Sequence, residues 1–188
     1  MSKFEYVMVL VSIILGLGIA QILAGVAKIL KRWSKIKIYI PHLLWVFVVF
    51  GIHIQEWWVN YEFLKIINQW RFSTFFILIS FSTVLFIMAK LLFPIRFKGE
   101  DKDFKVFYFR EFHRMFFMGI LLIIIACIQN IVLFNEGLLE QYMLLIIGGG
   151  FAYLIFSRTK NEYIHYGMSI GMFLLGIAYI LIKDPVLN

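Results

Sequence analysis

The chain has 188 residues, of which 62% are hydrophobic and 15% charged, whereas soluble proteins are about half apolar and about a quarter charged. This composition excludes an ordinary water-soluble domain, and the length is that of one domain. The formal net charge of +7 does not predict nucleic-acid binding, because the basic residues crowd at the ends of apolar segments and leave no soluble surface for phosphate contacts. The single cysteine, Cys127, excludes an intrachain disulfide.

Six apolar segments, separated by short loops, fill nearly all of the chain. Each is long enough to cross a bilayer, which takes about 20 mostly apolar residues. The predicted fold class is therefore all-α, a polytopic membrane helix bundle of six transmembrane helices. Residues 1–188 would form a single transmembrane domain with no soluble domain. The segments lie at 6–30, 39–64, 72–93, 106–134, 138–156 and 163–182.

The first helix carries small residues at every fourth position, a pattern that lets a neighbouring backbone approach closely. The sixth helix repeats it with Gly167 and Gly171. Such faces serve contacts inside the bundle or between copies equally well. The members in the first helix are Ser12, Gly16, Ala20 and Ala24.

Polar residues inside a membrane are costly and indicate a functional site by default. His53, Glu56 and Asn60 share one stripe of the second helix, since they are three and four positions apart. If polar positions of the first and third helices face this stripe, together they would line a wet path. In the alternative, Glu56 anchors an aromatic belt at the membrane interface and the hydroxyls only bond the carbonyl one turn back. The polar position of the first helix in this hypothesis is Gln21, and those of the third helix are Ser80, Thr83 and Lys90.

The even-numbered helices hold two other candidate groups. His42, His113 and His165 each lie near the start of an even-numbered helix, where three imidazoles at one depth would form a cluster on the cytoplasmic side. Without a His-x-x-x-His spacing, interfacial histidines are favoured over a metal or haem site. Arg110 and Arg114 are one helical turn apart and are predicted to face lipid headgroups.

Basic residues are concentrated in the loops after the first, third and fifth helices. Cytoplasmic loops of membrane proteins carry such an excess, so we expect these loops in the cytoplasm and both termini outside. The residues are Lys28, Lys31, Arg32, Lys35 and Lys37, then Arg96, Lys98, Lys102 and Lys105, and finally Arg158 and Lys160.

Three short motifs support a resemblance. The stretch 12–18 (SIILGLG), the stretch 41–45 (PHLLW) and the pair Trp57-Trp58 resemble a widespread family of small bacterial six-helix inner-membrane proteins whose activity is not established. The resemblance implies a multi-pass protein of the bacterial inner (plasma) membrane. It carries no activity to this chain.

Three functions stay open at this point. The leading hypothesis is a small oligomeric channel or transport-type protein. The first alternative is a non-catalytic membrane subunit or sensor that docks a partner protein, and the second is a metal- or haem-dependent membrane oxidoreductase. The absence of a Gly-x-Ser-x-Gly motif or an arguable nucleophile–base pair favours a protein that is not an enzyme. No cofactor is predicted, and the expected partners are the bilayer and either a second copy or a membrane protein.

Overall fold

The computed structural model describes residues 3–67, 70–95, 97 and 99–183 of the chain. The predicted fold class is confirmed: six long α-helices make up almost all of the described part, and each is long and apolar enough to cross a membrane. Arg96 and Lys98 of the third loop and the terminal residues 1–2 and 184–188 lie outside the described residues. The helices are α1 (Lys3–Lys31), α2 (Ile40–Ile66), α3 (Phe72–Leu91), α4 (Phe104–Phe134), α5 (Tyr142–Ser157) and α6 (Glu162–Lys183).

The helix boundaries follow local chemistry. Helix α4 begins two residues before its predicted start because Asp103 caps it, with Oδ1 accepting the N–H groups of Lys105 and Val106 at 3.0 and 3.3 Å. Helix α5 begins later than predicted because residues 138–141 form a 3₁₀ turn, in which the N–H of Gly137 donates to Glu140. These caps satisfy backbone groups that a helix end leaves without partners.

Helices α1 to α4 form the centre of the bundle. Helix α1 packs on α3 and α2, and α3 packs on α4, whereas α5 lies on α4 and α6 lies on α2. Only 11% of the apolar stretch of α6 is buried inside the protein, against 39% of the stretch in α3. Helices α5 and α6 are therefore the outer ones, with most of their apolar surface open to lipid.

Two aromatic contacts set the register of α2 against α4. The ring centroids of Trp45 and Phe116 are 5.2 Å apart, and those of Phe63 and Phe134 are 5.8 Å apart. The same number of residues separates the two members on each helix, so α2 and α4 run side by side in the same direction. Residues of α2 can therefore be matched in depth with residues of α4.

The buried face of α1 differs from the small-residue face that the sequence indicated. Two glycines on the buried face allow close approach: a methyl at Gly18 would overlap the ring of His53, and one at Gly25 would overlap Phe93. The other buried positions of α1 follow a repeat of three and four residues, as expected of one helix side. They are Val7, Val11, Leu15, Ile22 and Ile29.

The predicted small-residue face of α1 lies mostly on the outside of the bundle. Ser12 is half-buried and Gly16, Ala20 and Ala24 are exposed, and a Cβ on Gly16 would meet nothing within 4 Å. On α6, Gly167 and Gly171 also border open space. On α1 these positions face outward because the side with Gly18 and Gly25 is turned inward. The expectation of a contact with a second copy or a partner stays a prediction.

Large apolar side chains cover the outside of the bundle. Ile13 and Leu17 of α1 and Phe117 of α4 are each more than half exposed, and similar residues follow along every helix. A monomeric soluble protein rarely exposes apolar surface on this scale, whereas lipid tails are an apolar phase that accepts it. The chain is an integral membrane protein.

Candidate functional site

The buried side of α2 is polar over half of its length. From its start toward the centre it presents His42, Trp45 and Val49, and from the centre toward its end it presents His53, Glu56 and Asn60 before Phe63 closes the stripe. The last three polar residues lie on successive turns and are 0%, 7% and 3% exposed. We call His53, Glu56 and Asn60 the α2 polar stripe. It lies in the half of the bundle opposite the basic loops.

His53 lies at the contact between α2 and α1. Its Nδ1 is 2.7 Å from the carbonyl oxygen of Val49, one turn back. Because a carbonyl only accepts, Nδ1 carries the proton and Nε2 of the neutral ring is an acceptor. That Nε2 is buried beside Gly18 and has no hydrogen-bond partner in the part of the chain that the structure describes. The ring fits there only because residue 18 has no side chain.

Glu56 and Asn60 form a pair on the next two turns. The Asn60 amide nitrogen donates to the backbone oxygen of Glu56 at 2.7 Å and to its Oε1 at 3.3 Å. Since both partners are acceptors, the nitrogen of the amide must be the atom that faces them, and Oδ1 points elsewhere. Oδ1 is buried without a partner among the described residues. The stripe thus holds a carboxyl group and two further acceptors that lack donors.

The placement of Glu56 bears on the interface-anchor alternative. Its neighbour Trp57 is 53% exposed and Tyr61 is 40% exposed, so the aromatic belt faces lipid. Glu56 points to the opposite side of α2, into the bundle. A residue that anchors the helix at the membrane interface would lie on the exposed side together with the aromatic residues, and Glu56 does not.

Helix α4 adds polar residues that the sequence analysis did not single out. Gln129 is buried at the depth of the α2 polar stripe, and its Oε1 has no partner within the described ranges. Close by in the chain, Asn130 donates to Oε1 of Gln141 at 3.2 Å, which joins α4 to the turn before α5. The sequence does contain a feature that points to these residues, because Gln129 and Asn130 are adjacent polar residues inside an otherwise apolar segment.

The polar positions predicted on α1 and α3 are only partly inside. Gln21, Ser80 and Thr83 are half-buried, whereas Lys90 is exposed and its Nζ lies 5.4 Å from the centre of the Phe86 ring. Lys90 therefore does not line a path within the bundle. The buried polar residues of α3 are instead Thr74 and Ser82. Ser82 donates to the Leu78 carbonyl one turn back, as hydroxyls on membrane helices often do.

The three histidines near the basic loops do not converge. His42 uses Nε2 on the backbone oxygen of Leu92 at 2.7 Å and stacks against Phe104. His165 uses both nitrogens, one with the Tyr108 hydroxyl at 2.9 Å and one with the Thr159 oxygen at 3.0 Å. His113 packs on the ring of Phe112.

Within the ranges that the structure describes, no group of three His, Cys, Asp or Glu side chains is placed to hold a metal ion. A cluster of His42, His113 and His165 is thus wrong as a ligand set. His42 Nε2 donates to the Leu92 backbone oxygen instead, and His165 Nε2 donates to the Thr159 oxygen, which leaves His165 Nδ1 to accept from the Tyr108 hydroxyl.

The predicted headgroup arginines are ion-paired. Glu111 lies between them, with Oε1 3.0 Å from Arg110 Nε and Oε2 3.0 Å from Arg114 Nη1. These pairs are at the surface and contribute little stability. A role in binding lipid phosphate stays a prediction for Arg110 and Arg114.

No protein-family model matches the chain, and neither a curated protein nor a solved structure shows significant similarity to it.

Proposed function

We propose that the protein is a transport-type membrane protein whose α2 polar stripe lines a passage for a small monovalent cation or protonated amine, the proton included. The observation that carries the proposal is a buried carboxyl group beside two acceptors without donors, all within a membrane-spanning helix. Hydrocarbon offers no hydrogen bonds, so such atoms are costly unless water or a solute reaches them.

The chemistry of the acceptor atoms along the α2 polar stripe supports a cation over an anion. His53 Nε2, Asn60 Oδ1 and the Glu56 carboxyl group all accept hydrogen bonds or coordinate positive charge. An anion would find no donor among them. A small donor-rich cation would satisfy all three in turn as it passes along the helix.

A liposome assay tests the proposal. We expect cation or proton flux above that of empty vesicles, measured with K⁺, methylammonium and a pH dye. Glu56→Gln keeps the shape but removes the charge, so flux should fall about tenfold, the effect expected for one lost charge-assisted contact, while thermal stability changes little. His53→Ala should also lower flux because it removes the acceptor beside Gly18.

The control is Gln55→Ala, which removes a polar side chain from the exposed side of the same helix turn. It should leave flux unchanged. Absence of flux for every cation in the wild type, or an equal loss in Gln55→Ala and Glu56→Gln, would contradict the transport proposal.

A second candidate is a membrane subunit that docks another helix. The exposed small-residue face of α1 favours it, because Gly16 and Ala20 would let a partner backbone approach closely and nothing in the chain covers them within the described residues. If the wild-type protein gives no flux in the liposome assay, the membrane-subunit function is favoured over transport.

The orientation remains part of the proposal. Placing the basic loops in the cytoplasm of a bacterial inner membrane puts the α2 polar stripe in the outer half of the bilayer. A solute would then meet Asn60 first when it enters from outside.

A further inference from the structure

A basic pocket lies at the end of the bundle that holds the loops after α1 and α3. Its volume is about 330 Å³, at the lower end of the range for small-molecule sites. Four cationic side chains line it, those of Lys31, Arg32, Lys35 and Lys102, and Ser34 adds a hydroxyl group. None of its described lining residues is acidic.

The two loops that form the pocket are held together by backbone bonds. The N–H of Lys37 donates to the Lys102 oxygen at 2.9 Å, and the N–H of Phe104 donates to the Lys37 oxygen at 2.9 Å. On the other side, Arg32 Nη1 donates to the Phe97 oxygen at 3.1 Å. These bonds fix the distance between α1 and the α3–α4 loop before any ligand arrives.

The wall of the pocket is apolar and buried. Ile36 is 8% exposed and Phe97 is 5% exposed, and the Arg32 guanidinium lies 6.0 Å from the centre of the Phe97 ring. Trp33 beside them is 58% exposed, as aromatic residues at the membrane–water interface are. The pocket therefore lies at the depth where lipid headgroups meet water.

Among the described residues, no carboxylate balances the charge of the pocket. Within the part of the chain that the structure describes, none of the four cations lies within ion-pair distance of a carboxylate. Asp103, which follows Lys102 in the chain, already caps α4 and lies 3.7 Å from Lys37. Mutual repulsion among four cations is relieved best by one anion of more than a single charge.

We propose that this pocket binds a phosphate group carrying about two negative charges. Guanidinium and ammonium groups recognise phosphate through charge-assisted hydrogen bonds, and the Ser34 hydroxyl is a further donor. A singly charged carboxylate would balance only one of the four cations. The group belongs either to an anionic lipid headgroup or to a soluble phosphate compound, since water and lipid both reach this depth. The site is separate from the α2 polar stripe, and its test does not depend on flux.

The test uses the purified full chain in two arms. In the soluble arm, the protein in phosphatidylcholine nanodiscs is titrated with inorganic pyrophosphate by calorimetry. In the lipid arm, the protein in detergent receives equal amounts of phosphatidic acid and phosphatidylcholine, and native mass spectrometry counts the lipids that stay bound. The pocket variant is Lys35→Gln/Lys102→Gln, which keeps Arg32 because that side chain also holds Phe97.

The matched control is Lys28→Gln/Lys160→Gln, which removes two exposed positive charges from the same end of the bundle but outside the pocket. We expect the wild type to bind at least one probe, the pocket variant to lose about tenfold or more in affinity or retention, and the control to keep it. Selective loss for phosphatidic acid identifies a headgroup, and selective loss for pyrophosphate identifies a soluble phosphate. Failure of the wild type to bind either probe, or an equal loss in the control, would overturn the proposal.

Discussion

Replacing Gly18 by leucine is expected to lower the free energy of unfolding by about 3 kcal/mol, because even one methyl group there would overlap the buried His53 ring. The ring cannot easily turn away, since Nδ1 is bound to the Val49 oxygen. Thermal or denaturant unfolding of the purified protein in detergent measures the effect.

Two comparisons separate this contact from a general effect of a larger residue. Gly51→Leu adds the same side chain to α2 at a position where a Cβ meets nothing within 4 Å, and it should be tolerated. Combining Gly18→Leu with His53→Ala should restore much of the stability, because the ring that is displaced is then absent. Equal losses for Gly18→Leu and Gly51→Leu would show that α1 and α2 do not meet at Gly18.

Trp45→Ala should be the most destabilising truncation, costing about 3 kcal/mol or more. Trp45 is 1% exposed and lies between Phe116 of α4, at 5.2 Å, and Phe151 of α5, at 5.6 Å between ring centroids. Lipid offers no replacement for the lost contacts because a cavity inside the bundle has no partner atoms. The unfolding free energy in detergent again measures the effect.

Trp57→Ala is the matched control, since this tryptophan is 53% exposed on the same helix. Its loss should change the unfolding free energy by less than about 1 kcal/mol. A larger cost for Trp57→Ala than for Trp45→Ala would mean that α2 is turned the other way around.

The number of helices and the existence of a polar stripe on α2 were predictable from the sequence. Apolar runs of spanning length give the helices directly. On α2 the stripe of His53, Glu56 and Asn60 could be found because polar residues stand out among apolar ones and their spacing is helical. The structure places all three inside, where the spacing alone left open which side of the helix they faced.

The inward side of α1 was not predictable in the same way. In water an apolar stripe marks the buried side of a helix, but a membrane helix is apolar all round and lipid competes equally for both sides. Two sets of small residues were therefore available, and the structure uses Gly18 and Gly25 rather than Gly16 and Ala20. The inward side of α1 is the one that meets the rings of His53 and Phe93.

The basic pocket was also beyond the reach of the sequence. Lys35 and Lys102 are far apart in the chain, and only the pairing of the two loops through Lys37 and Phe104 brings them to one cavity. An excess of basic residues predicts which loops face the cytoplasm, but it does not predict that they enclose a space.

A passage along α2 requires water to reach the α2 polar stripe within the membrane, and the accessibility of cysteines to a water-soluble reagent measures this. In a Cys127→Ala background, His53→Cys and Ile54→Cys place a thiol at nearly one depth but about 100° apart around α2. His53 is fully buried, whereas Ile54 is 46% exposed on the lipid-facing side. A water-soluble thiosulfonate reacts with a thiolate, which forms only where water is present. We predict that the cysteine at position 53 is modified in membranes and that the cysteine at position 54 is not. An unreactive cysteine at position 53, or faster reaction at position 54, would contradict a hydrated passage along this helix.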